Sequence, residues 1–130
     1  TGGLLSSKIT EFPGVSKIYH TGITVYSNSS KSLFLNIPNN LIAKKGAVSK
    51  EIAKILILNL YKRTKSKLCI STTGIAGPNG GTKDKPNGLV YIGIKYKKNT
   101  IILKKNYLGT RKEIQKQTVK DVFKKLDSLI

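Results

Sequence analysis

Leu68-Cys69-Ile70-Ser71-Thr72, a Gly/Pro/Asn-rich stretch from Gly74 to Gly88, and then Leu89-Val90-Tyr91-Ile92-Gly93-Ile94-Lys95-Tyr96 make the part of the sequence that decides the fold. In the last segment Val90, Ile92 and Ile94 alternate with Tyr91 and Lys95, the period of two that a strand needs to separate its faces. Lys97-Lys98-Asn99 supplies a turn, and Thr100 to Tyr107 is a second β-rich run, so the two segments read as an antiparallel hairpin. Leu68 to Thr72 is a short apolar strand entering a loop. In α/β proteins such strand-to-loop junctions are where sites are built.

Moving outward, Thr110-Arg111-Lys112-Glu113 is a capping box, after which Ile114, Val119, Val122, Phe123, Leu126 and Leu129 keep helical spacing. On the other side, Ser49 can N-cap a helix from Lys50 to about Lys65, whose Ile52, Ala53, Ile55, Leu56, Ile57, Leu58 and Leu60 cover more than one face and demand burial. Leu33 to Ala47 holds Pro38, Asn39, Asn40 and Gly46 and reads as a turn-rich link with a small helix at most. Ile18 to Ser27 reads as a strand, Ile23 and Val25 on one face, Thr24 and Tyr26 on the other. Thr1-Gly2-Gly3 opens a short helix ended by Phe12-Pro13-Gly14. The expectation is one α/β domain over residues 1–130, three-layer-like, with a mixed β-sheet packed by helices.

At 130 residues the chain can bury a core without staples. It has no apolar run near the roughly 20 residues of a membrane span, and no signal segment opens it, so a cytoplasmic protein with no membrane partner is expected. Cys69 is the only cysteine and His20 the only histidine, which excludes an internal disulfide and a Cys/His zinc site. Glu11, Glu51, Asp84, Glu113, Asp121 and Asp127 are spread singly, leaving little for paired-carboxylate or two-metal chemistry. The expected chemistry uses neither metal nor cofactor. The net charge of +18 invites a polyanion, but the lysines are scattered, without an aromatic-basic motif, and read as a solvated surface.

Three clusters carry candidate chemistry. Ser71-Thr72-Thr73-Gly74-Ile75-Ala76-Gly77-Pro78-Asn79-Gly80-Gly81 joins hydroxyls to small residues where backbone amides can approach a ligand, although turn geometry alone would also use Gly, Pro and Asn. Tyr26-Ser27-Asn28-Ser29-Ser30-Lys31 offers a phenol and a lysine; a desolvated lysine can serve as a general base, a solvated one cannot. Arg111 stands in the first turn of the last helix, where free N–H groups favour an anion and a guanidinium would clamp it. His20 has no partner close in sequence, and Cys69 reads as a small buried thiol.

Taken together, Thr1-Gly2-Gly3, Tyr26-Ser27-Asn28 with Lys31, Gly46-Ala47-Val48-Ser49, Gly74-Ile75-Ala76-Gly77-Pro78 with Gly80-Gly81, and Lys85-Pro86 with Gly88 resemble the CinA C-terminal domain family, in its order and spacing up to the capping box. The resemblance implies a nicotinamide-nucleotide amidase, which hydrolyses the carboxamide of nicotinamide mononucleotide (NMN) to nicotinate mononucleotide and ammonia without metal. It implies a serine nucleophile in an Ala-Glu-Ser-Cys segment directly before the Thr-Gly-Gly. The sequence begins at that threonine, so the chain is read as lacking the family's N-terminal helix, first strand and nucleophile, and by itself as inactive.

By the same resemblance Lys31 takes the proton from the serine, with Tyr26 hydrogen-bonded beside it. Thr1, Gly2 and Gly3 offer oxyanion-hole amides. Asn28, Thr73 and Gly74 bind substrate; Arg111 matches the arginine after the family's usual Gly-Asp, here Gly109-Thr110, and the physics of a helix start, not the resemblance, assigns it to the phosphate. A homo-oligomer is expected, since relatives associate and a missing strand would open an edge. The competing readings are a non-catalytic nucleotide-binding or competence-linked module and plain nucleic-acid binding driven by charge.

Overall fold

The computed structural model describes residues 1–130. Strand β1 (Leu68–Gly74), β2 (Leu89–Tyr96) and β3 (Asn99–Asn106) form a sheet of order β1-β2-β3. Helix α4 (Lys50–Thr64) covers one face and α5 (Arg111–Asp127) the other, giving three layers. Alternation along β2 sorts the two sides: Val90, Ile92 and Ile94 meet Ile114 and Val122 of α5, while Gly93, between them in the pleat, faces α4. Ser49 caps α4 by accepting from the Ile52 amide, and Thr110 and Glu113 form the capping box of α5, as their spacing required.

The α/β architecture is the expected one, but both ladders are antiparallel where a mixed sheet was expected. Connection length explains this. A two-residue turn joins β2 to β3 and the loop 75–88 joins β1 to β2, and neither contains the helical crossover that a parallel pair needs.

Two local expectations fail. Ile18 to Ser27 is not a strand: after a 3-10 turn (Val15–Lys17) the segment 20–26 runs extended with no backbone ladder, because alternation alone cannot make a strand without a partner edge. The second concerns the boundary at Leu33: the Leu33 to Ala47 link does hold one small helix, α3 (Asn39–Lys45), but its first residues close α2 (Asn28–Leu35), a helix the sequence did not announce. Ser27 starts α2 by accepting from the Ser30 amide, and Leu35 and Ile42 anchor the pair to Ile52 and Leu56 of α4. The first helix, α1 (Leu4–Thr10), leans on α5, where Phe12 meets Phe123 edge-on at 6.2 Å.

The contact between α4 and the sheet is unusually close. The Ser71 hydroxyl donates to the Ala53 carbonyl at 2.8 Å, and a β-carbon placed on Gly93 would lie 2.9 Å from that same oxygen and 2.6 Å from Ser71 Oγ. Overpacking of this kind costs typically 1–3 kcal/mol. Gly93→Ala is therefore expected to lower the unfolding free energy by an amount in that range, read by circular dichroism as a lower urea midpoint with an unchanged m-value.

Candidate functional site

A cavity of about 400 Å³ opens at the C-terminal end of β1, and every residue expected to have a catalytic or binding role lines it: Thr1, Gly2, Gly3, Tyr26, Asn28, Lys31, Thr73, Gly74 and Arg111. Its walls come from the start of α1, the 24–31 segment, the 46–49 turn, the loop after β1 and the first turns of α5. Thr73 fastens two of these together, donating its hydroxyl to the Ala47 carbonyl at 2.7 Å. The loop after β1 is tied by its own bonds, Ile75 N–H to the Leu89 carbonyl, Gly88 N–H to the Ile75 carbonyl, and Asn87 to the Pro78 carbonyl. Gly74 is required by space, since a β-carbon there would meet the Val90 side chain at 2.6 Å.

Lys31 is the one buried charged side chain of the protein, 7% exposed. Helix α2 carries it inward, and its ammonium donates to the carbonyls of Val25 (3.1 Å) and Tyr26 (3.2 Å). No carboxylate pairs with it, and burial pushes its pKa below the usual lysine value. The cavity lining contains Lys31 and Arg111 and no Asp, Glu or His. Such a site favours an anionic guest and holds a lysine that gives up its proton more readily than a solvated one. No group of three or more His, Cys, Asp or Glu side chains is placed to hold a metal ion.

Tyr26 departs from the expected arrangement. Its phenol does not reach Lys31 but accepts from the Arg111 guanidinium at 2.8 Å, and a second guanidinium nitrogen donates to the Gly77 carbonyl at 3.0 Å. The cause is local. Tyr26 precedes a helix start instead of lying on a strand, so its backbone carbonyl turns to Lys31 and its ring projects outward, 70% exposed. The helix start beside Arg111 is also less open to an anion than its sequence suggested, because Thr110 Oγ1 takes the Glu113 amide and Glu113 takes the Thr110 amide. Arg111 thus joins α5, the loop and Tyr26 across the cavity mouth, with guanidinium protons still free for a ligand.

Gln115 also lines the cavity and was passed over in the sequence. Its position four residues after Arg111 was the available signal, since that spacing puts both on one helix face. His20 is exposed and away from the cavity, and Cys69 is buried at 2% exposure with its pKa raised by burial, an inert thiol.

A second and larger feature adjoins the site. An apolar groove of about 990 Å³ runs between the unpaired edge of β1 (Leu68 to Thr72) and residues 18–25, floored by Leu35, Leu56, Leu60 and Leu126. Ile18, 86% exposed, stands on its rim, and Thr1 lines both groove and cavity.

The family model of the CinA C-terminal domain matches residues 1–130. A CinA-like protein of Endomicrobium trichonymphae is 46% identical over 119 residues, covering 92% of this chain and 28% of that protein. Among solved structures, the competence/damage inducible protein CihA of Agrobacterium tumefaciens superposes with a TM-score of 0.94 at 32% identity, over 98% of this chain and 79% of that one. A CinA superfamily protein of Escherichia coli, 22% identical, shares the fold with a TM-score of 0.93 over 99% of this chain and 75% of that one. The chain thus spans less than a third of the length of the curated relative and about three quarters or more of the solved domains. No helix is long and apolar enough to cross a membrane.

Removing the Thr73 hydroxyl while keeping its shape tests how the cavity floor is held. Thr73→Val leaves the Ala47 carbonyl without that donor, and a buried polar group deprived of its partner costs about 1–3 kcal/mol. Chemical unfolding is expected to show a loss in that range.

Proposed function

Because the chain belongs to the CinA C-terminal domain family, we propose that it forms the greater part of an amidase site that hydrolyses NMN to nicotinate mononucleotide and ammonia, with the serine nucleophile supplied by a segment preceding Thr1. The observation that carries this reading is Lys31: a buried ammonium, unpaired by any carboxylate, in a cavity whose charged lining is entirely basic. In its neutral form Lys31 takes the serine proton as the oxygen attacks the carboxamide carbon. Protonated Lys31 then returns that proton to the departing nitrogen, leaving ammonia and an acyl-serine that water hydrolyses.

In this reading the amides of Gly2 and Gly3, both glycines at positive φ in the turn that starts α1, donate to the oxyanion of the tetrahedral intermediate. Arg111 draws the phosphate to the mouth with its free protons, and Tyr26 fixes the guanidinium plane. The apolar groove supports the same reading. One wall is the β1 edge, which no strand of the sheet pairs, and residues 20–26 opposite make no backbone–backbone hydrogen bond, so the groove leaves room for a further strand, and Thr1 lines both groove and cavity.

The decisive assay is ammonia release from NMN by the protein carrying its segment upstream of Thr1, at neutral pH with chelator. Turnover is expected, and Lys31→Ala should cut it about 10²–10⁴-fold, the usual contribution of a positioned base, with the unfolding transition retained. A folded Lys31→Ala protein with unchanged kcat would sink the mechanism. Binding of NMN without any ammonia would favour the non-catalytic nucleotide-binding module instead.

The pH profile follows from the direction of the Lys31 shift. Activity needs the neutral amine, so kcat/KM rises with pH and levels off above a pKa lying below the ordinary lysine value of about 10.4. Arg111→Ala should raise KM by roughly 10–100-fold, the worth of a charge-assisted hydrogen bond, with a smaller effect on kcat. Loss of kcat alone would assign Arg111 to the chemistry rather than to phosphate.

A further inference from the structure

Lys112, Lys116, Lys120 and Lys124 recur every four residues along α5, and all four are exposed. At 1.5 Å per residue they make a row about 18 Å long on one face of the helix. None is paired: the ion pairs of the protein are Lys8–Glu11, Lys45–Glu51 and Lys105–Asp121. The acids nearest the row are engaged elsewhere, Glu113 in the capping box and Asp121 with Lys105 and Tyr107, and Asp127 lies past its end.

Like charges four residues apart repel and oppose the helix that carries them. An anionic partner relieves that repulsion. The row is also separate from the cavity, which α5 serves with Arg111, Ile114, Gln115 and Thr118. A bilayer is the poorer partner, because the apolar side of α5 is spent on the sheet through Ile114, Val119 and Val122. Single strands are poorer too, since the helix exposes no aromatic platform; its one ring, Phe123, is set against Phe12.

We propose that the outer face of α5 docks on the phosphate backbone of duplex nucleic acid, each lysine acting as a point charge, with no reading of base sequence. The assay is fluorescence anisotropy of a labelled 20-bp DNA duplex titrated with the 130-residue chain from 50 to 200 mM KCl. Four phosphate contacts correspond to a log–log salt slope of about −3.6, or roughly a 150-fold loss of affinity across that range.

Lys116→Glu with Lys120→Glu should at least halve the slope and weaken binding more than tenfold at 50 mM. Lys54→Glu with Lys62→Glu, the same charge change on exposed positions of α4, should leave the slope within about one unit of the parent. The α5 variant sets glutamates beside lysines, which favours the helix, and circular dichroism confirms that it is folded. Equal weakening by both pairs would overturn the proposal, reducing the effect to diffuse charge. Tighter binding to a single strand of the same length, or to phosphatidylserine vesicles, would overturn it as well.

Discussion

The carbonyl of Ala53, in the second turn of α4, accepts the Ser71 hydroxyl while Gly93 of the neighbouring strand leaves it room, and the rest of the molecule is arranged around that seat. With the helix seated so near the sheet, its capped start at Ser49 brings the 46–49 turn beneath Thr73. Another side of α4 is then free to receive Leu35 of α2, Ile42 of α3 and Ile37 from the link between them. Those two helices fix where Lys31 sits. A cavity at one end of β1 is thus set by a contact in the middle of the sheet, through helix geometry rather than through any group that touches a ligand.

The electrostatics of the cavity follow from its parts. Backbone carbonyls are a weaker partner for an ammonium than a carboxylate would be, so Lys31 is solvated enough to tolerate burial and not enough to keep a normal proton affinity. A carboxylate in the same place would hold the lysine charged and neutralise the attraction for an anion. The absence of acidic residues from the lining is therefore as much a part of the site as the lysine. Arg111 contributes the other cation and, through Tyr26 and Gly77, ties together three segments remote in sequence.

Much of this was legible in the sequence, and the parts that were not share a cause. Capping signals at Ser49 and Thr110 and the alternation along Val90, Ile92 and Ile94 were read correctly because they are local and are met by the chain's own hydrogen bonds and pleat. Ile18 to Ser27 has the same alternation but no neighbouring edge within the described residues, so its pattern announces a strand that the geometry does not complete. Helix α2 was hidden by the Ser and Asn residues at its start, which are poor inside a helix but cap its beginning well. The site residues were gathered by their motifs rather than by spacing, and their mutual bonds were beyond reach. Whether Tyr26 turns to Lys31 or to Arg111 depends on a helix start one residue away.

The cavity wall is built from five stretches that lie far apart along the chain, from Thr1 to Thr118. Capped helix starts and the bonds of the loop after β1 order each stretch locally, but the wall exists only where long loops have closed, at an entropic cost that the sheet and α4 must outweigh. Lys31, Arg111 and the Gly2–Gly3 turn are held near one another by tertiary contacts alone, so any molecule that binds all three adds its binding free energy to the stability of the folded chain.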